Sequence, residues 1–376
     1  METVTLLLAG DVMTGRGIDQ VLAQPCSPTL YESYVHDARD YVRLAEQVNG
    51  PIGRGVAPEY IWGDAIAEMQ RVSPRLRIVN LETAVTSAEA AWPGKGIHYR
   101  MHPANVGCLT AAGIDGCVLA NNHVLDWGRE GLAETLRTLH AAGLRTAGAG
   151  SSGDLAWAPA SFELGDGLRL LLFACATASS GVPADWAAMP ARPGVALLPD
   201  LSDKTARRLA DDAARHRRGD GLTILSIHWG GNWGTAIPTE HRRFARRLIE
   251  LGEFDIVHGH SSHHPLAMEV YRGRLILYGC GDLINDYEGI GARGTLRSDV
   301  GCLYFVTLAL PGGTLRRVDI VPMLLRRFRL ERADAAARQW VEQLFNDGGL
   351  ALGTRVESLR SGDLTLRWSQ MPAPTP

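Results

Sequence analysis

Five separate apolar runs along this chain each stop at a side chain able to hold a metal ion or move a proton. No other feature narrows the fold as much. Thr3–Ala9 stops at Gly10-Asp11, Leu76–Leu81 at Glu82, Gly116–Leu119 at Asn121-Asn122-His123, Leu222–Ile227 at His228, and Phe254–Val257 at His258-Gly259-His260. Short apolar runs rich in β-formers and bounded by polar turns read as buried strands. Between them Trp62–Arg71, Pro103–Ala112, Glu130–Ala142, Leu201–His216 and Glu240–Leu251 have helical spacing, and Gly143 closes the third as a C-cap. Strands alternating with helices predict an α/β fold, and ligand sites in such sheets form outside the carboxyl ends of the strands. One polar residue at a strand end is an ordinary cap on backbone groups. Five in chain order point to one shared site.

The remaining segments complete the organisation. Ser161–Leu164 and Leu168–Ala174 form a predicted hairpin around Gly165-Asp166-Gly167, and Ala267–Tyr271 with Leu275–Tyr278 form another. Strands are expected at Cys302–Ala309 and Leu315–Val321, and a helix at Arg332–Phe345. Residues 25–60 and 180–199 read as irregular insertions, the first capping a cleft. The Pro-rich end Met371–Pro376 reads as frayed. This divides the chain into a catalytic domain over 1–325 and an extension over 326–376 packing on it.

Composition excludes several classes. The 376 residues are 45% hydrophobic and 21% charged, ordinary for a globular chain with a sizeable core. A formal net charge of −3 provides no field for nucleic acid or an anionic membrane. Cys26, Cys108, Cys117, Cys175, Cys280 and Cys302 make no CxxC pair and sit mostly in apolar runs, which suits free thiols in a reducing compartment. The first apolar run is only strand length and lacks a basic leader, and no stretch reaches the roughly 20 apolar residues of a membrane span. The expectation is a cytoplasmic protein without nucleic-acid or membrane partners. Its oligomeric state is open.

The strand-end residues suggest the chemistry. A mixture of Asp, Glu, Asn and His suits one or two divalent ions of the Ca, Mn or Zn class, and no cysteine is placed to make a thiolate site. Asp126, three residues after His123, either fixes that imidazole or caps the following helix. Trp127, Trp229 and Trp233 either wall a substrate or close the core. His263 and His264 either touch substrate or pack behind the ligands. Asp282 and Asn285 serve the site or a turn. Arg100 is a carboxylate clamp or a surface ion pair.

At these residues the sequence resembles the CapA family of poly-γ-glutamate capsule synthesis. The matching pieces are AGDVM (9–13), NLET (80–83), ANNHVLDWG (120–128), HWG (228–230), HGHSSHHP (258–265) and YGCGDL (278–283). YESYVHDARDYVRLAEQ (31–47) is also similar, and the resemblance runs from about Thr3 to Val321. It implies a calcineurin-like four-layer αββα sandwich with two packed mixed sheets. It also implies Asp11, Glu82, Asn122, His228, His258 and His260 as metal ligands, Glu82 as the bridging carboxylate, and His123 as general acid. Met13 stands where a phosphatase of this fold has a histidine, which points to a single-metal site.

Three functions follow from the resemblance. The expected one is a peptide epimerase of the lasso-peptide type. Two imidazole–carboxylate pairs, His123 with Asp126 and His260 with Asp11, would exchange a proton on opposite faces of a peptide α-carbon beside the cation. Arg100, Trp127, Trp229, Trp233 and His264 would hold the peptide. The alternatives are a metal-dependent hydrolase of phosphoester or amide bonds, and a poly-γ-glutamate or capsule biosynthesis protein.

Overall fold

The computed structural model describes residues 2–217, 219, 221–291 and 294–369. The expectation for Met371–Pro376 lies outside them. The chain builds one sheet, leaves it to build a second, and returns to finish the first.

The first strands are β1 (Glu2–Val12), β2 (Leu76–Leu81), β3 (Gly116–Val118) and β4 (Arg145–Ala147), paired in parallel in that order. Helices α1 (Asp64–Val72) and α2 (Gly128–Ala141) belong to this half and bury Met69, Leu132 and Leu139 in its core. The chain then forms β5 (Ala160–Gly165), β6 (Leu168–Ala176), β7 (Leu222–His228), β8 (Ile256–His260), β9 (Met268–Tyr271) and β10 (Arg274–Leu277). These lie in the spatial order β9-β10-β8-β7-β6-β5, with the central four parallel. Strands β11 (Asp282–Ile284), β12 (Val300–Leu310), β13 (Leu315–Arg326), β14 (Arg329–Arg332), β15 (Thr354–Ser358) and β16 (Leu364–Trp368) return to the first sheet. β11 pairs in parallel with β1, and β12 pairs antiparallel to it along nearly its whole length.

The two sheets pack face to face, and side-chain alternation shows how. Along β6, Leu170, Leu172 and Ala174 join the core shared with β1 and β2. Leu171, Phe173 and Cys175 join a second core with helices α3 (Asp203–His216) and α4 (Thr239–Glu250). Successive residues of a strand point to opposite faces, so one face of this sheet meets the other sheet and one meets helices. The four layers are helix, sheet, sheet, helix, the mixed αββα sandwich that the family resemblance implies.

Alternation also aims the functional residues. On β7 and β8, Ser226, His228, His258 and His260 share a face with Leu222, Ile224 and Ile256, which lie between the sheets. At the carboxyl ends the apolar filling stops and these polar side chains meet Asp11 and Glu82 from the opposite sheet. Gly259 lets the strand pass here, because a β-carbon would stand 2.5 Å from the Tyr278 carbonyl oxygen and 2.7 Å from Trp229 Nε1.

Several segments carry elements that the sequence pattern does not mark. Within 25–60 a helix forms over Arg39–Asn49 and buries only Tyr41, Val42 and Ala45, too few apolar positions to stand out as a periodic stripe. In 180–199 the chain is mostly irregular, with a short strand Gly194–Val195 pairing with Ala149–Gly150. Residues after 325 contribute β14, β15 and β16 to the first sheet, and helix α5 (Ala335–Gly349) buries Ala337, Val341 and Phe345 in the core. No helix among the described residues is long and apolar enough to cross a membrane.

Candidate metal centre

Asp11, Glu82, His123, His228, His258 and His260, from both sheets, are buried together, with Asn122 half-buried beside them. A hydrogen-bond chain fixes two of the imidazoles. The Ala9 carbonyl can only accept, so His258 Nε2, 3.0 Å away, carries a proton. His258 Nδ1 then accepts from the Ser226 hydroxyl at 2.9 Å, and Ser226 Oγ accepts from His260 Nε2 at 2.9 Å. His260 is left with a bare Nδ1, 3.8 Å from Asp11 Oδ1 and 2.7 Å from His228 Nδ1.

Two expectations are corrected by this chain. His258 spends both ring nitrogens on Ala9 and Ser226, so it has no lone pair for an ion and instead ties one sheet to the other. Asp11 and His260, expected as an acid/base pair, are too far apart for a hydrogen bond. Asp11 accepts instead from Asn80 Nδ2 at 2.8 Å and from the Ser261 amide at 3.3 Å.

Two groups of three buried residues bring their donor atoms within 4.8 Å of one another: Asp11, His228 and His260, and Asp11, His263 and Asp282. Asp11 is common to both and stands where Glu82 was expected to bridge. Glu82 Oε1 faces His123 Nε2 at 3.8 Å and His228 Nε2 at 3.9 Å. His228 Nε2 is also 3.0 Å from Asn122 Oδ1. His263 Nδ1 lies 2.9 Å from Asp282 Oδ1, so these two join the site although the sequence reading left their roles open.

The donor set fits a divalent ion. With Asn122 Oδ1 accepting from His228 Nε2, the facing Nδ1 atoms of His228 and His260 both lack protons, an opposed pair of lone pairs that a cation relieves. Burial, then the neighbouring Asp282, raises Asp11 to about 7, and burial followed by Asp11 raises Glu82. Burial holds His228 and His260 far toward their neutral forms. Neutral imidazoles beside carboxylates that repel one another are a cation's ligands.

His123 and Asp126 form the expected pair, with Nδ1 2.6 Å from Oδ2. Asp126 does not cap the following helix, and its Oδ2 also accepts from the Tyr99 amide at 2.7 Å. The sequence reading missed Lys95, whose Nζ donates to Asp126 and to the Asn122 carbonyl and stands 3.1 Å from His123 Nδ1. Burial and then Lys95 lower His123 to about 4. Burial alone would raise Asp126, but Lys95 and His123 bring it down. The imidazole is thus neutral, with Nδ1–H directed at Asp126 and a bare Nε2 toward Glu82.

The expected substrate contacts divide. Trp233 is half-buried and lines a cavity with His263. Trp229 is buried, stacked on His241 at 4.3 Å, with Nε1 donating to the Tyr278 carbonyl. Trp127 is buried under Arg100, whose guanidinium carbon lies 3.8 Å from its ring centroid. Arg100 is neither a carboxylate clamp nor a surface ion pair, because its guanidinium donates to the carbonyls of Ala88 and Ser27 and staples two loops. His264 is fully buried and held to the Pro265 carbonyl. Ring packing and hydrogen bonds to backbone carbonyls engage these four side chains.

The family described as bacterial capsule synthesis protein PGA_cap matches residues 5–287. The chain is 42% identical over 366 residues to a probable polyglutamine synthesis accessory protein of Mycobacterium tuberculosis, covering 95% of each. It is 25% identical over 296 residues to the PGA biosynthesis protein CapA of Bacillus subtilis, covering 76% of this chain and 64% of that one. A crystal structure of a novel phosphatase from Mycoplasma pneumoniae aligns over 90% of this chain and 97% of that one, with a TM-score of 0.47 and 13% identity. The expectation of peptide epimerisation is overturned by these relatives, whose names place them in polyglutamine and capsule synthesis. The 3.8 Å separation of His260 Nδ1 from Asp11 Oδ1 leaves out the second hydrogen-bonded proton-transfer pair that expectation needed.

Proposed function

This chain belongs to the bacterial capsule synthesis protein family, and from that premise we propose that it is a metal-dependent accessory enzyme of glutamine- or glutamate-polymer synthesis, hydrolysing a bond of the polymer chain. The observation that carries the reading is the 42% identity over 95% of both chains to the mycobacterial polyglutamine synthesis accessory protein. The buried centre around Asp11 supports the metal-dependent part.

Asp11, His228 and His260, with Glu82 beside them, would hold one divalent ion, and Asp11, His263 and Asp282 a second. Such an ion supplies Lewis acidity toward a carbonyl oxygen and eases ionisation of a water. His123 provides a neutral imidazole whose Nε2 can accept a proton from an attacking water and return it to a departing amine. Asp126 holds that imidazole in the required tautomer, and Lys95 balances the carboxylate so that the pair stays compact. Ser226 and His258 orient His260 and keep its Nδ1 bare.

Deleting the gene in its own organism and complementing with wild-type or His123→Ala protein tests the reading. Loss or altered length of the extracellular glutamyl or glutaminyl polymer, restored only by wild type, is expected. Unchanged polymer after deletion would remove the protein from that synthesis.

A further inference from the structure

We infer that Ser261 is a positioning residue of the metal centre. Its amide aims Asp11, its hydroxyl closes the strand ends that carry His228 and His260, and a strained backbone conformation makes both contacts possible at once. The inference rests on the metal-dependent reading above and adds how the chain holds the ligands ready.

Ser261 is buried, directly follows His260 at the end of β8, and has a φ of +107°. A side chain at such a φ crowds its own backbone, and residues like this persist only where their surroundings hold them. The other non-glycine residues of positive φ among the described residues, Arg16 and Ser73 among them, lie between 50° and 56°. That is the left-handed helical region, where L residues are tolerated. Ser261 stands beyond it, beside the ligands.

Its contacts explain why the strain is tolerated. β7 and β8 pair in parallel up to His228 and His260. Past that pair, two bonds carry the connection on. The Trp229 amide donates to the His260 carbonyl at 3.2 Å, and Ser261 Oγ donates to the Gly230 carbonyl at 3.2 Å. Gly230 is itself pinned, with a φ of +78° and room for a β-carbon only 2.9 Å from His241 Cε1. On its other side, the Ser261 amide donates to Asp11 Oδ2 at 3.3 Å while Asn80 Nδ2 donates to Oδ1 at 2.8 Å. One donor on each oxygen fixes the plane of the carboxylate that both groups of candidate ligands share. Ser261 therefore ties together the three segments that bear Asp11, His228 and His260. The φ angle sets the direction of a residue's N–H relative to its Cα–Cβ bond, so a relaxed φ would give up one of the two contacts. Glycine adopts this φ freely but has no hydroxyl to offer Gly230. Partners that orient metal ligands in this way commonly set metal affinity by a factor of about 10–100.

Isothermal titration with Mn²⁺ and urea unfolding of the full chain, as wild type, Ser261→Gly and Ser261→Ala, test this. Alanine removes the hydroxyl and keeps the strain, whereas glycine removes both. Each variant, while folded, should bind Mn²⁺ about tenfold more weakly than wild type or worse. Without metal, the glycine variant should unfold at a higher urea midpoint than the alanine variant. That reverses the usual order, in which the greater unfolded-state entropy of glycine favours alanine. A serine that only filled space would leave the Mn²⁺ affinity of the folded variants at the wild-type value, and that result in either variant would overturn the inference. An alanine variant at least as stable as the glycine variant would overturn it too, as would a wild type that binds no Mn²⁺. The hydrolytic reading fails separately. Weakened Mn²⁺ binding in both variants, with a glutamine oligomer left intact by the wild type, keeps this inference and removes that reading. Shortening of the oligomer by wild type, with Mn²⁺ affinity unmoved by both substitutions, does the reverse.

Discussion

Ser226 Oγ lies 2.9 Å from His260 Nε2, and this contact decides which nitrogen His260 turns toward the site. The serine is itself oriented by His258, which is oriented by the backbone of the opposite sheet. Replacing Ser226 with alanine frees the tautomer and leaves two buried imidazole nitrogens, His258 Nδ1 and His260 Nε2, unpaired. Metal affinity should fall about 10- to 100-fold and stability by about 1–3 kcal/mol. Isothermal titration with Mn²⁺ and urea unfolding check both, and unchanged affinity would show that the relay does not orient His260.

The pH dependence of metal binding follows from Asp11. Its folded pKa, raised to about 7 from 3.8, contributes stability below the unfolded value that is lost as pH rises through about 7. His123 and His258, lowered to about 4 from 6.5, contribute stability above 6.5 that is lost as pH falls toward 4. A divalent ion must displace the Asp11 proton below about pH 7, so its affinity should weaken by up to about tenfold per pH unit there. The rise in melting temperature on adding Mn²⁺ should therefore be larger near pH 8 than near pH 5.5. A pH-independent rise would contradict the placement of Asp11 among the ligands.

His123→Ala should lower turnover about 10²- to 10⁴-fold, with metal content by atomic emission close to wild type. Asp126→Asn should give a smaller loss, because the imidazole remains but its tautomer is no longer imposed. Lys95→Met removes the positive charge that, after burial, most lowers His123. The acidic limb of its pH–rate profile should therefore move to higher pH, and a limb left in place would separate Lys95 from the imidazole.

Arg16 is held between Asp286 and Glu32, all three buried. Arg16→Met strands two carboxylates and should cost about 3–5 kcal/mol, read as a lower urea midpoint with unchanged slope. A midpoint near wild type would mean that the ion cluster is not holding the 31–41 segment in place.

The strands and the residues at their ends were legible because both leave local marks: an apolar run, then a polar residue. Asp11, Glu82, His228 and His260 stand at such strand ends, and the structure gathers them. His258 was misassigned because it has the same local context as His260, and only the depth of the inter-sheet gap separates them. Lys95 lies in the loop Pro93–Gly96 and Ser226 inside an apolar strand, so their partners come from distant segments that no periodicity reveals. His263 and Asp282 were visible as polar residues, but their shared vertex with Asp11 appears only when β11 pairs with β1. Arg100 and Trp127 were misread because each satisfies the other, as arginine–aromatic stacking commonly does.

The most direct test of the central claim is mass spectrometry of a glutamine oligomer incubated with the Mn²⁺-loaded protein. Shorter oligomers that disappear on chelation and with His123→Ala are predicted. Unchanged masses across metals and pH, with binding intact, would contradict a hydrolytic role for this centre.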